Sequence, residues 1–139
     1  MHSILVKDYM NNQPKTVKGT TNVRDAVELM LSESLIGLCV IDDSNNLIGY
    51  VSEQDCVQEM LNDAFYCEEP AAVNVVMSTD VITVSPDNTI VELAQMIINN
   101  TPKNYPVISN KKLVGLISRT EVLQSLVDND DDCYIRKSG

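Results

Sequence analysis

Tryptophan is absent from this 139-residue chain, phenylalanine occurs once, and the single histidine is His2. With no histidine in the body of the sequence, His-based catalytic triads and the usual zinc-ligand sets lose their main component. No apolar run approaches the roughly 20 residues that span a bilayer, and the opening MHSILVKDYM lacks a secretory-signal pattern. A cytoplasmic protein with no membrane partner is therefore expected. Positive charge is scarce too: no Lys or Arg lies between Arg24 and Lys103, and the formal charge is −10. A surface of that sign repels phosphate backbones, so no nucleic-acid partner is expected. Any anionic ligand needs local positive charge, or a cation, to overcome the general field. The four cysteines, at 39, 56, 67 and 133, form no CxxC pair. Cys39 and Cys56 fall in apolar stretches, as buried reduced thiols do, and no metal site follows from them.

What the chain does have is itself, twice. A shift of 67 residues places Met10 on Met77, Thr16-Val17 on Thr83-Val84, and Asn22 on Thr89. The apolar set Val23, Ala26, Val27, Met30, Leu31 falls on Ile90, Leu93, Ala94, Ile97, Ile98, and both sets carry the spacing of an amphipathic helix. Thr89-Ile90-Val91-Glu92 fits a capping box, and Asn22 with Asp25 is a weaker version. Two strand-like runs follow in each half: 38–41 and 47–51 around DDSNN, then 105–108 and 113–117 around SNKK. A second helix closes each half, at 53–61 and at 119–127. The fold class predicted is α+β, two β-α-β-β-α repeats packed with pseudo-twofold symmetry. The first repeat is expected over 1–64, a linker over 65–72 with a short helix after Pro70, the second repeat over 73–128, and an acidic, polar tail over 129–139. The tail lacks the glycine and bidentate glutamate of an EF-hand, so its acids read as a solvated cluster. Two units of this size are marginal alone and gain from a shared core.

Each half ends its hairpin in a similar phrase, GYVSEQD at 49–55 and GLISRTE at 115–121. A strand running into a helix offers free backbone N–H groups and the positive end of the helix dipole. Ser52 and Ser118 stand where an N-cap belongs, and the acid three residues on completes a capping pair. The same carboxylate can accept two hydrogen bonds from vicinal hydroxyls such as those of ribose, as acids do in dinucleotide-binding folds. The two readings are compatible. The serines have no evident base, and no Walker-type glycine loop exists, so no catalytic residue is named and no enzyme is expected.

Two copies of strand–helix–strand–strand–helix, each opening on V-x-x-x-M (Val6 to Met10, Val73 to Met77) and closing on G-h-h-S-x-x-[DE], resemble a tandem cystathionine-β-synthase (CBS) domain pair, a Bateman module, of the stand-alone bacterial type. The resemblance covers roughly residues 4–127. It implies a non-catalytic regulatory module that binds AMP, ADP, ATP or an adenosyl compound, with or without Mg2+, in clefts between the repeats. No cofactor is required. A homodimer formed through exposed helices and an effector protein are the implied partners. The alternative is a structural or dimerisation module with empty clefts, acting only through protein–protein contacts.

Carried over by position, one site joins Ser52 and Asp55 to Ile82, Thr83, Lys103, Asn104, Tyr105 and Pro106. The other joins Ser118, Arg119 and Glu121 to Thr16, Val17, Ile36, Gly37 and Leu38. The first has the family's aspartate, a base in the loop and an intact Tyr-Pro-Val. The second substitutes Glu121 and puts Cys39 where the proline belongs, so the first is preferred. Lys103 also fits a merely solvated charge, and Tyr105 also fits a filler between repeats.

Overall fold

The expected helices form, and so do the expected strands apart from the opening strand of the second repeat, with their ends moved. The structure, a computed structural model, describes residues 3–67, 69–100 and 102–130. His2, Cys133 and the tail beyond 130 lie outside the described residues. In chain order the elements are α1 (Val6–Tyr9), β1 (Thr16–Lys18), α2 (Val23–Glu33), β2 (Gly37–Ile41), β3 (Leu47–Ser52), α3 (Glu53–Tyr66), α4 (Val73–Val76), α5 (Ile90–Asn99), β4 (Asn104–Ser109), β5 (Lys112–Ser118) and α6 (Arg119–Asp128).

Caps fix the helix starts. Thr89 and Glu92 exchange side chain–backbone hydrogen bonds of 3.1 and 2.8 Å at the head of α5, and Asn22 accepts the Asp25 N–H at 2.8 Å for α2. α3 runs five residues beyond the expected Leu61 and stops at Cys67, whose φ of 54° is left-handed. The short helix after Pro70 is α4. Both V-x-x-x-M segments wind into one turn, closed by the methionine N–H on the carbonyl four residues back, Met10 to Val6 and Met77 to Val73.

Two compact units result, and they do not follow the order of the chain. One holds 14–81 with 110–113; the other holds the described parts of 1–13, 82–109 and 114–139. The first is built on a sheet in the order β1-β2-β3, with β1 parallel and β3 antiparallel to β2. Its core joins Val17, Val23, Met30, Leu38, Val40 and Val51 to Val73 of α4. The second pairs β4 with β5, and its core joins Ile90, Leu93, Tyr105, Val107 and Ile117 to Val6 of α1. Each V-x-x-x-M segment thus seals the core that follows the other one in sequence. Cys39 and Cys56 are buried free thiols, and burial pushes the Cys39 thiol up to about 12, which leaves it un-ionised.

The expected opening strand of the second repeat is reduced to a single parallel bridge, Val84 to Val107. Val84 donates to Pro106 O at 3.0 Å and accepts from the Ile108 N–H at 2.9 Å. The next bond of a parallel ladder would come from residue 106, and proline has no N–H to give. The helix stripes are also narrower than expected. Leu31 is 72% and Ile98 79% exposed, although Met30 of α2 and Leu93 of α5 are buried.

Candidate functional site

Every sequence-selected site residue falls among the described residues. Ser52, Asp55, Thr16, Val17, Ile36, Gly37 and Leu38 lie in the first unit. Ile82, Thr83, Lys103, Asn104, Tyr105, Pro106, Ser118, Arg119 and Glu121 lie in the second.

In the first unit the site is the head of α3. Ser52 is still extended, with φ −101° and ψ 166°, and its Oγ accepts the Asp55 N–H at 3.2 Å. Asp55 returns the contact, its Oδ2 accepting the Ser52 N–H at 2.9 Å. The other carboxylate oxygen has no hydrogen-bond partner among the described residues. It belongs to a side chain lining a polar hollow of about 480 Å³, together with Gln54, Gln58, Glu59, Asn62 and Val76. β2 starts against this junction: Glu53 N–H donates to Ile36 O at 3.0 Å, and Gly37 pairs with Ser52. Thr16 and Val17 pair with Cys39 and Val40, one strand further in.

One residue that sequence reasoning passed over belongs here. The Tyr50 ring lies directly on Gly37, where a Cβ would collide with the phenol. Tyr50 is opposite Cys39 and two positions before Ser52, so it shares the face on which Ser52 stands. The period of two in a strand, applied backwards from Ser52, would have found it.

The head of α6 uses its acid differently. Glu121 accepts from the Ser118 N–H through Oε1 at 3.0 Å and from the Ser118 hydroxyl through Oε2 at 2.7 Å, so both oxygens are spent on one residue. The extra methylene allows this wrap, which Asp55 is too short to make. Arg119 N–H faces Lys103 O at 3.4 Å, which places Lys103 and the start of β4 beside Ser118 within the second unit. Tyr105 is fully buried in that unit's core, and its hydroxyl finds no partner among the described residues. Burial raises its pKa, and the Arg119 charge partly opposes the rise. Pro106 is buried beside it, while Ile82 packs half-buried against the same core.

Chemically, the α3 head is a carboxylate fixed by Ser52, with a hydroxyl next to it, on a side chain that lines a hollow. Such a group binds hydroxyl or amine donors. Among the described residues there is no histidine and no cluster of three or more metal-ligating side chains.

A family model described as the CBS domain matches the chain twice, over residues 6–62 and 72–128. The chain belongs to the CBS domain family. The two matched spans follow the repeats in sequence, whereas packing exchanges their opening turns. Among solved structures, this CBS pair is similar to CBSX2 of Arabidopsis thaliana in complex with AMP: 26% identity, 91% of this chain and 98% of that one, TM-score 0.81. It is also similar to a putative acetoin utilization protein (AcuB) from Vibrio cholerae, at 26% identity, 96% and 100% coverage and a TM-score of 0.82. The CBS pair of MJ0100, solved with 5′-methylthioadenosine and S-adenosylmethionine, shares the fold at a TM-score of 0.77 and 17% identity. Among curated relatives, the protein MJ1225 of Methanocaldococcus jannaschii is 26% identical over 87% of this chain. The CBS pair spans 42% of MJ1225 and 66% of a 17.7 kDa relative from Acidianus ambivalens. No helix among the described residues is long and apolar enough to cross a membrane.

Proposed function

We propose that this CBS pair is a non-catalytic regulatory module that binds an adenine nucleotide or adenosyl ligand, with Asp55 holding the ribose. The observation that carries the reading is the difference between the two acids: Asp55 lines a hollow and has one oxygen hydrogen-bonded to Ser52, whereas both oxygens of Glu121 are hydrogen-bonded to Ser118. Ser52 at the head of α3 supplies a hydroxyl next to Asp55, and Tyr50 stands two positions before it on the same face of β3. The AMP complex of CBSX2, a relative of nearly the same length, supports the ligand class. Regulation follows from differential affinity: a ligand that prefers one conformation of the chain raises its population, and that conformation signals to a partner.

Calorimetry with AMP, ADP and ATP, with and without magnesium, tests the assignment. Asp55→Ala is expected to weaken binding by about 1.5–3 kcal/mol, the range for a hydrogen bond to a charged group. Glu121→Ala is expected to cost much less. Equal losses, or a loss at Glu121 alone, would reject the assignment. Because Asp55 also caps α3, the melting temperature of each ligand-free variant has to be recorded beside its affinity. A ligand at 100 times its Kd adds about 2.7 kcal/mol of stability. Thermal scans that stay flat with every adenine nucleotide would favour a module whose sites are empty.

The same reading includes a homodimer, and the surface best suited to it is the outer face of α5 and α6. Ile98, Leu123 and Val127 are exposed there. These two helices carry three acids, Glu92, Glu121 and Asp128, against one base, Arg119. A nearly neutral apolar face can meet its own copy without strong repulsion. Sedimentation is expected to show a dimer that Leu123→Asp converts to monomer with its melting temperature kept; a monomeric wild type would remove this part of the proposal.

A further inference from the structure

The backbone of Gly37 does not require a glycine. Its φ lies outside the left-handed region, and it pairs with Ser52 inside the sheet, where a glycine weakens a strand. Gly37 is nevertheless buried, and the Tyr50 ring lies over it. In register Tyr50 faces Cys39, but its ring leans to the diagonal neighbour. A Cβ on Gly37 would lie 2.6 Å from the Tyr50 Cζ and 2.7 Å from its Cε2, and closer still to the hydroxyl oxygen. Any side chain at 37 would therefore evict the phenol. The glycine is the seat of the ring, and that seat is directly across from Ser52, the N-cap of α3.

The repeat fills the same two places differently. Under the shift of 67 residues Gly37 falls on Asn104, and with Gly49 laid on Gly115, Tyr50 falls on Leu116. The glycine–tyrosine pair thus belongs to the α3 head alone. The first unit's other rings, Phe65 and Tyr66, stand at the opposite end of α3. Tyr105, the aromatic expected at the site from the sequence, is fully buried in the second unit's core and has no surface to give a ligand. Tyr50 is only half-buried, so part of its surface stays open. Stacking on an aromatic side chain is a general way to hold a nucleobase, because every base has a π-face. We propose that Tyr50 is the base-contacting residue of the α3 head and Gly37 its positioning residue: Asp55 takes the sugar, and the phenol ring takes the base. This rests on the nucleotide reading of the same head and adds to it a selection for ligands that carry a base over bare sugar phosphates.

The test compares AMP with ribose 5-phosphate, which keeps the sugar and phosphate and lacks the base, by calorimetry and ligand-observed NMR on the full chain. Tyr50→Leu, which copies Leu116, is expected to weaken AMP at least about tenfold and to leave ribose 5-phosphate within about twofold of wild type. Tyr50→Phe keeps the ring and is expected to bind both as wild type does. Gly37→Ala is expected to follow Tyr50→Leu, because its methyl takes the place of the phenol. Tyr50→Val, a strand former, repeats the measurement if Tyr50→Leu lowers the melting temperature. Asp55→Ala is expected to weaken both ligands, which separates the two claims. AMP binding that is lost in Asp55→Ala and unchanged in Tyr50→Leu would overturn the role of Tyr50 and keep the reading of the head. Equal losses of both ligands in Tyr50→Leu would make the ring a structural prop and also overturn the proposal. A wild-type chain that binds no AMP would overturn it as well, and the reading of the head would fall with it only if ADP and ATP also fail to bind.

Discussion

Removing residues 1–13 is expected to unfold the second unit while leaving the first-unit strands protected. Val6 is completely buried in the core formed by Val84, Ile90, Leu93, Tyr105, Val107, Ile117 and Val122. Full burial of a valine contributes about 1.5–3 kcal/mol. The segment also makes five backbone hydrogen bonds to the rest of its unit: Val6 to Asn88, Lys7 to Pro86, Ile90 to Ile4, and a reciprocal pair between Asn11 and Leu116, all at 2.8–3.1 Å. Each is worth about 0.5–1.5 kcal/mol net. Even the low ends of both ranges sum to about 4 kcal/mol, close to the whole stability of many small domains. Hydrogen exchange read by mass spectrometry is expected to show loss of protection at 104–109 and 114–118 in the truncated chain. Protection at 37–41 and 47–52 should remain. Unchanged protection of β4 and β5 would mean that α1 is an ornament on a self-sufficient core. The converse deletion, of 67–81, is expected to reverse the pattern, because Val73 occupies the corresponding place in the first unit's core.

That exchange of opening turns is the part of the fold least legible in the sequence. The repeat of 67 residues showed two similar halves, and the apolar periods at 23–31 and 90–98 showed their helices, because those patterns are local. Which core Val6 or Val73 enters depends on the path of the chain between halves, and no residue near either one encodes that path. The missing second opening strand was legible in principle. Pro106 sits where Cys39 sits in the first half, and its lack of an N–H removes the ladder bond that would have extended the Val84 bridge. At the candidate site, the caps at Ser52 and Ser118 were readable from spacing alone. The difference between their acids was readable only as one methylene. Its consequence, Glu121 wrapped with both oxygens on Ser118, is a matter of side-chain reach that appears only with coordinates. Leu31 and Ile98 share the apolar spacing yet are exposed, because periodicity marks a face without saying how far the core extends around it.

Gly49→Ala is expected to destabilise the first unit by about 1–3 kcal/mol, toward the upper end, with no change in the ligand-contacting side chains. A Cβ on Gly49 would lie 2.5 Å from the Met77 sulfur and 2.8 Å from the Ser78 carbonyl oxygen. The sulfur can swing away. The carbonyl cannot, because Ser78 and Tyr50 are locked by reciprocal backbone hydrogen bonds of 2.9 Å each. Relief therefore requires either opening that pair or displacing β3 from Val40, its partner in the sheet. The double variant Gly49→Ala with Met77→Ala is accordingly expected to recover little of the loss. Gly19→Ala is the control: its new methyl would meet the flexible tip of Ile48 at 3.1 Å and Asn74 at 3.4 Å, which can give way. Chemical denaturation is expected to leave that variant within about 1 kcal/mol of wild type. At the matching position of the other unit, Gly115→Ala meets Met10 Sδ at 2.5 Å and the Asn11 carbonyl at 3.0 Å, slightly further away, so a smaller loss is expected there. Should Met77→Ala restore Gly49→Ala fully, the closeness of β3 to the Ser78 backbone would not be the reason for a glycine at this position, and sulfur crowding alone would explain it.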